Sequence, residues 1–170
     1  MSHNAKKVNP FPLAFGVLSS ALMSVTFAMV MPSAVFATPS SEVSEKLAAL
    51  KTSEQPWLEV DLSEQELTLW QGGETQYTTI VSTGKADTPT ETGIFTIQRK
   101  LLEDRMRGDD YDLSHVPHVM YYHRGYAIHG AYWHNQFGTP VSHGCVNLPL
   151  PAAKEIYESI PIGSPVVIHD

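Results

Sequence analysis

The chain has 170 residues, and its 18 acidic and 11 basic side chains give a formal net charge of −7 at neutral pH. Such an acidic chain lacks the basic patches that bind nucleic acid or anionic membrane surfaces, so we exclude both kinds of partner. One cysteine in the whole sequence also excludes an internal disulfide.

Residues 1–37 have the three parts of a secretory signal peptide. Two lysines come first, an apolar run follows from Leu13 to Met31, and small residues end at Ala37, where we expect cleavage. Because the apolar run is longer than in most signal peptides, the alternative is an uncleaved anchor in the cytoplasmic membrane. In either case the sequence predicts that the rest of the chain is exported.

The exported part divides into a short polar segment and one domain. Residues 38–55 are rich in Ser, Glu, Lys and Thr, which predicts a short polar stalk with one or two helical turns between Val43 and Leu50. Residues 56–170 have the length of one ordinary domain, and no internal repeat is evident in them.

The first part of this domain has the pattern of β-strands. Apolar and polar residues alternate from Trp57 to Leu62, which is typical of a half-buried strand. The same alternation at Leu67 and Leu69 runs into Gly72-Gly73, which predicts a hairpin. Further strands are predicted at Tyr77–Thr83, Ile94–Gln98, Val119–Tyr122, Tyr126–His129 and Val166–Ile168.

One long polar segment lies between these strands. Residues 101–117 lack a clear hydrophobic periodicity, so we predict a surface loop of the kind that often forms a lid or a binding loop. After the cysteine, Pro151 begins a helix that ends by Pro161. The sequence therefore predicts a mainly-β (α+β) domain with one helix after the cysteine.

Reactive side chains concentrate around Cys145, the last residue of a Ser-His-Gly-Cys run. A thiol becomes a nucleophile when a base takes its proton, and His129 and His143 are candidate bases. One alternative is a zinc site formed by these three residues with His134, although neither CxxC nor HExxH is present. The other alternative is a buried, inert cysteine. We favour the nucleophile, without a metal.

Two short segments around the candidate site together resemble the signature of a known family. His129-Gly130, followed by Ser142–Asn147 (SHGCVN), is similar to the signature of the L,D-transpeptidase catalytic domain, often called the YkuD domain. The upstream segments Val81–Gly84 and Thr90–Phe95 also resemble that family. The resemblance covers about residues 57–170 and implies a β-sandwich-like fold.

The resemblance implies a bacterial envelope enzyme, in the periplasm or cell wall, that acts on peptidoglycan stem peptides without a cofactor. Such enzymes hold the acyl group of a tetrapeptide donor on cysteine, release the terminal D-alanine, and pass the acyl group to an amine of a neighbouring stem. The product is a 3→3 cross-link, used in cell wall biogenesis and remodelling. Two alternatives stay open: an L,D-carboxypeptidase, for which water is the acceptor, and a non-catalytic peptidoglycan-binding domain.

The family motif also implies a role for each matching residue. Cys145 would be the nucleophile, and His129 would take its proton and later protonate the leaving amine. The carbonyl of Gly130 would hold the other ring nitrogen of His129. The backbone N–H groups of His143, Gly144 and Cys145 would receive the developing oxyanion. His143 is also a second, less favoured candidate for the base.

Four further residues are candidates for binding substrate or for shaping the site that binds it. Ser142 is expected to hydrogen-bond to backbone within its own turn. Asn147 is expected to touch substrate or the fold beneath it, at a position where many family members have arginine. Tyr132 and Trp133 lie between the two halves of the motif, where they would either form a wall of the donor pocket or belong to the core.

Overall fold

The computed structural model describes residues 39–170, which fold into two helices and nine strands. The helices in this range are α1 (Pro39–Leu50) and α2 (Leu150–Ser159). The strands are β1 (Trp57–Asp61), β2 (Glu66–Gln71), β3 (Glu74–Ile80), β4 (Gly93–Thr96), β5 (Arg99–Arg107), β6 (Asp112–His123), β7 (Tyr126–Gly130), β8 (Val146–Leu148) and β9 (Pro165–His169).

These strands form two sheets. The first sheet has the order β3-β2-β1-β9-β4, and the second has the order β5-β6-β7-β8. Within the described residues, neighbouring strands pair antiparallel except for β1 with β9 and β7 with β8, which are parallel. Each parallel pair joins segments that are distant in sequence, and the second pair positions the candidate active site.

Side chains from both sheets and one face of α2 share the main hydrophobic core. Its buried members include Leu58, Val60, Leu67, Val166 and Ile168 of the first sheet, Met120, Ile128, Val146 and Leu148 of the second, and Ala152, Ala153 and Ile156 of α2. Burial of each large aliphatic side chain contributes about 1.5–3 kcal/mol. The prediction of a mainly-β domain with a helix after the cysteine is confirmed.

The segment predicted as a stalk packs against the first sheet. α1 spans 12 residues, more than the one or two turns expected, and Leu50 at its end is buried with Trp57 and Val167. Val43 and Leu47 pack against the same cluster, since their i, i+4 spacing places them on one face of the helix. The stalk prediction is therefore wrong for residues 39–50, because a few apolar side chains in a polar stretch attach the helix to the sheet.

Residues 101–117, which the sequence predicts as a surface loop, form most of a β-hairpin. Strands β5 and β6 pair antiparallel from Arg99 with Tyr121 to Arg107 with Asp112. The periodicity is weak because Met106 is the one residue of β5 that is buried, while most of its charged residues stay exposed. The loop prediction is therefore wrong, and we refer to residues 99–123 as the β5–β6 hairpin.

Two strand predictions differ in detail from the structure. The strand expected at Tyr77–Thr83 is β3, which begins at Glu74 and ends at Ile80. β8 was missed by the sequence analysis, because a strand of three residues is too short to show a period.

The predicted signal peptide or anchor, residues 1–37, lies outside the described residues. Among residues 39–170, no helix has the length and apolar character needed to cross a membrane. Export therefore stays a prediction.

Candidate active site

Cys145 and His129 line one cavity of about 300 Å3. The parallel register of β7 and β8 pairs Ile128 with Val146 and His129 with Asn147. Because Cys145 directly precedes β8, this register brings the thiol beside β7, the strand that carries His129. The pairing of two short strands therefore places two residues that are separate in sequence in the lining of the same cavity.

The hydrogen bond of His129 determines which ring nitrogen is free. His129 is 2% exposed, and its Nδ1 lies 3.2 Å from the carbonyl oxygen of Gly130. A carbonyl oxygen can only accept a hydrogen bond, so Nδ1 carries the proton and Nε2 of the neutral ring has a free lone pair. The contact expected between Gly130 and the ring is present, and it requires no carboxylate.

Both reactive groups are neutral at physiological pH. Burial lowers the pKa of His129 to about 4, with a partly opposing contribution from the Gly130 carbonyl. Burial raises the pKa of the Cys145 thiol to about 11, and the backbone N–H of Ala127 partly offsets this effect. The free site therefore holds a thiol and an imidazole rather than an ion pair, so the proton must move as the sulfur attacks.

Ser142 closes the turn formed by residues 142–145. Its Oγ donates to the carbonyl oxygen of Cys145 at 2.5 Å and accepts from the N–H of Gly144 at 3.1 Å. The expectation that the Gly144 N–H donates to an oxyanion needs correction, because Ser142 already occupies that donor. The N–H groups of His143 and Cys145 are the remaining candidates from the predicted set.

Gly144 is required by both the backbone conformation and the space in this turn. Its φ of +108° lies in the region that side chains disfavour. A Cβ at this position would lie 2.4 Å from Cε1 of Tyr126, well inside van der Waals contact. The ring of Tyr126 therefore packs directly against the backbone of the turn.

A threonine-containing loop supports the same turn from the other side. The Oγ1 of Thr90 donates to the carbonyl oxygen of Gly144 at 3.0 Å and accepts from the N–H of Gly84 at 2.8 Å. Thr88 donates to the carbonyl oxygen of Ser142 at 3.1 Å. These contacts were not predictable from the sequence, since a hydroxyl group gives no sign of a partner 54 residues away.

His143 points to the β5–β6 hairpin. Its Nε2 lies 3.1 Å from Oδ2 of Asp110, and its ring lies 4.9 Å from the ring of Tyr111. The hydrogen bond from His143 lowers the pKa of Asp110. His143 therefore connects the 142–145 turn to the tip of the hairpin, and this contact engages the Nε2 that a base would use.

The hairpin, whose segment was expected to be a lid or a binding loop, supplies a wall of the cavity through side chains that were not predicted. Met106, Tyr111 and Leu113 line the cavity, and they pack in a second apolar cluster that includes Val116 and Trp133. The sequence could have indicated these lining residues, because they are isolated apolar residues in an otherwise charged segment. They were not recognised because the segment was interpreted as a loop.

The four candidates for substrate binding divide between this cavity and its surroundings. Ser142, Trp133 and Asn147 line the cavity. Tyr132 does not line it: the side chain is 49% exposed, its hydroxyl donates to the carbonyl oxygen of Ser114, and its ring meets the edge of Trp133. The structure therefore places Tyr132 behind Trp133 rather than in the cavity wall.

The zinc alternative lacks a set of ligands. Within residues 39–170, no group of three histidine, cysteine, aspartate or glutamate side chains is arranged to hold a metal ion. Instead, His143 contacts Asp110, and His134 contacts Asn147.

Family models provide an independent comparison for this site. Residues 55–168 match the model named YkuD, described as the L,D-transpeptidase catalytic domain. The chain belongs to this family. The resemblance noted in the signature residues is thereby confirmed.

Three relatives show how far this similarity extends. The YciB protein of Bacillus subtilis (strain 168), whose name assigns it to the L,D-transpeptidases, is 28% identical and aligns with 66% of this chain and 64% of its own length. The catalytic domain of the E. faecium L,D-transpeptidase is 31% identical with a TM-score of 0.62, over 68% of this chain and 98% of that one. The structure of LdtMt1 in complex with imipenem is 26% identical with a TM-score of 0.64, over 67% of this chain and 58% of that one. The chain thus covers less than two thirds of YciB and of LdtMt1.

Proposed function

We propose that this member of the L,D-transpeptidase family forms 3→3 cross-links between peptidoglycan stem peptides through an acyl-enzyme on Cys145. The observation that carries the proposal is that Cys145 and His129 line one cavity, with the His129 proton held on Nδ1 by Gly130. A nucleophile beside a base with a free Nε2 is the arrangement that acyl transfer requires. We also propose that the enzyme is exported and acts in the periplasm or cell wall, as the N-terminal sequence predicts.

In the acylation step, the Cys145 proton moves to Nε2 of His129 as the sulfur attacks the carbonyl carbon that precedes the terminal D-alanine of the donor. The negative charge that develops on the carbonyl oxygen is received by the N–H groups of His143 and Cys145. A preorganised donor of this kind is worth about 3 kcal/mol in the transition state. The C–N bond then breaks, and the imidazolium of His129 gives its proton to the departing amine.

In the second step, an amine of a neighbouring stem attacks the thioester. His129 takes a proton from that amine, the C–S bond breaks, and the proton returns to the sulfur of Cys145. Water in place of the amine would give a carboxypeptidase. Trp133 and the hairpin residues Met106, Tyr111 and Leu113 make the cavity largely apolar, which favours a bound peptide over bulk water near the thioester.

The test is product analysis with a purified tetrapeptide donor and a second stem as acceptor. We expect mass spectrometry to detect the cross-linked product and free D-alanine, and to detect neither with the Cys145→Ala variant. If the products are free D-alanine and the tripeptide, with no cross-linked product even when the acceptor is added, the enzyme is a carboxypeptidase. No reaction of the donor under either condition would favour the non-catalytic binding domain.

A further inference from the structure

The ring of His134 is held in one tautomer by its neighbours. The backbone N–H of Gln136 points to Nδ1 of His134 at 3.1 Å. A nitrogen that accepts a hydrogen bond carries no proton, so the neutral ring must carry its proton on Nε2. Partial burial also lowers the pKa of His134, which favours the neutral ring.

This tautomer determines how the side-chain amide of Asn147 is oriented. As placed, the amide nitrogen Nδ2 of Asn147 faces the ring and lies 2.9 Å from Nε2 of His134. Nε2–H and Nδ2–H2 are both donors and cannot hydrogen-bond to each other. Rotation of the amide by 180° about its last bond leaves its shape unchanged and creates a hydrogen bond from Nε2–H to Oδ1.

The rotated amide then offers its NH2 group to the cavity. Asn147 is 3% exposed and lines the cavity together with His129 and Cys145. Its backbone is held by reciprocal hydrogen bonds with Ser82 at 2.8 and 2.9 Å, so the side chain is presented from a fixed position. Among the described residues, the hydrogen bond with His134 is the contact that engages the amide.

We propose that His134 is a positioning residue that orients Asn147 as a hydrogen-bond donor to a carbonyl or carboxylate oxygen of the peptide donor. This inference rests on the proposed function, because it assigns the polar contact of that same cavity. A buried NH2 group that faces the cavity favours a substrate with an acceptor oxygen at that point, since any other substrate group would leave the NH2 without a hydrogen bond.

The tautomer is tested in the free protein by long-range 1H–15N NMR of the histidine side chains. The His134 signals are assigned by their loss in a His134→Gln variant. We expect Nδ1 to show the shift of an unprotonated, pyridine-like nitrogen and Nε2 that of a protonated one. A protonated Nδ1 in the neutral ring would overturn the proposal, and this result does not depend on enzyme activity.

The orientation of the amide is tested by the kinetics of Asn147→Asp. The aspartate carboxylate can still accept the hydrogen bond from His134. Its other oxygen takes the place of the NH2 group and cannot donate to the substrate, so we expect KM for the peptide donor to rise about tenfold or more. An unchanged KM would mean that an acceptor already faced the cavity, and it would overturn the proposal.

Two replacements of His134 separate positioning from folding. Gln can donate to Asn147, so His134→Gln should keep KM within about threefold of the parent, whereas His134→Leu should raise KM several-fold with kcat nearly unchanged. Equal KM values for the two variants would overturn the positioning role. If the parent does not acylate at all, the proposed function fails, while the NMR result still decides the tautomer of His134 on which the orientation of Asn147 depends.

Discussion

At the scale of single residues, the proposed mechanism depends on two neutral groups that become charged only during the reaction. His129 is buried with Nδ1 bound to the Gly130 carbonyl, and Cys145 has a raised pKa. A base with a pKa of about 4 stays unprotonated over the whole physiological range. A lower pKa makes His129 a weaker base, and the fixed tautomer of its ring must offset this loss.

The pH profile of kcat/KM for acylation tests this assignment. His129 must be neutral to take the thiol proton, and it becomes protonated as pH falls through its folded pKa. We therefore expect the acid limb of the profile near pH 4, with no loss of rate between pH 7.5 and 5.5. An acid limb near pH 6.5, the ordinary value for histidine, would show that His129 is not the base or is not buried in this way.

Substitution of Gly144 tests the packing of the 142–145 turn. Gly144→Ala places a Cβ against the ring of Tyr126 at a φ of +108°, so we expect a loss of about 1–3 kcal/mol in the free energy of unfolding and a fall of about 100-fold in acylation rate. Urea unfolding and stopped-flow acylation would measure the two effects. The control is Gly125→Ala, since a Cβ at Gly125 meets no atom within 4 Å. Equal effects at both positions would refute the packing argument.

At the scale of elements, the tip of the β5–β6 hairpin contacts the 142–145 turn through His143. The hydrogen-bonded contact between Asp110 and His143 is solvent-accessible, so it adds little to the stability of the whole fold. Its role is local order, because the same tip places Tyr111 against the cavity.

Hydrogen exchange of the tip measures this local order. We expect Asp110→Asn to increase amide exchange around residues 108–111, because the contact with His143 is weakened, while the melting temperature changes by no more than a few degrees. Asp109→Asn is the matched control, as it removes a neighbouring exposed charge without touching His143. Unchanged exchange in Asp110→Asn would show that apolar packing of Tyr111 alone holds the tip.

The elements also show what the sequence can and cannot predict. Leu58 and Val60 alternate with polar residues, and they occupy β1 as expected because one face of that strand is buried. β5 was not predicted because it is the edge strand of the second sheet and most of its charged residues are exposed, so pairing with β6 rather than periodicity determines its structure. The length of α1 was underestimated for a related reason. The apolar cluster around Trp57 that the helix covers is formed by residues that are distant in sequence.

The site shows the same division. Cys145 and His129 were identified from a motif, since reactive residue types in a short run are visible in sequence. The contacts of Thr90 with Gly144 and of Ser142 with the Gly144 N–H were not predictable, because they depend on the path of the backbone. Because the Gly144 N–H donates to Ser142, the predicted set of oxyanion donors is reduced to the N–H groups of His143 and Cys145.

At the scale of the whole molecule, burial of His129 makes the fold sensitive to acid. The unfolded state binds a proton at this residue below about pH 6.5, whereas the folded state does so only near pH 4, so stability falls as pH falls between these values. From pH 7 to pH 4.5 the expected loss from His129 is about 2 kcal/mol. Other groups with shifted pKa values add to the total, so the effect is defined as a difference between variants.

Urea unfolding of the parent and of His129→Gln at pH 7 and pH 4.5 measures that difference. We expect the parent to lose about 2 kcal/mol more than the variant over this interval, because Gln does not titrate. An equal loss in both proteins would contradict the depressed pKa of His129, and with it the neutral resting state of the site.

The central claim is that Cys145 is an acylating nucleophile, and intact-mass spectrometry after incubation with imipenem tests it most directly. Imipenem is a suitable probe because the related LdtMt1 structure contains it. We predict a single adduct on the parent, a much slower one on His129→Gln, and none on Cys145→Ala. No adduct on the parent, or an equal adduct on Cys145→Ala, would contradict the account.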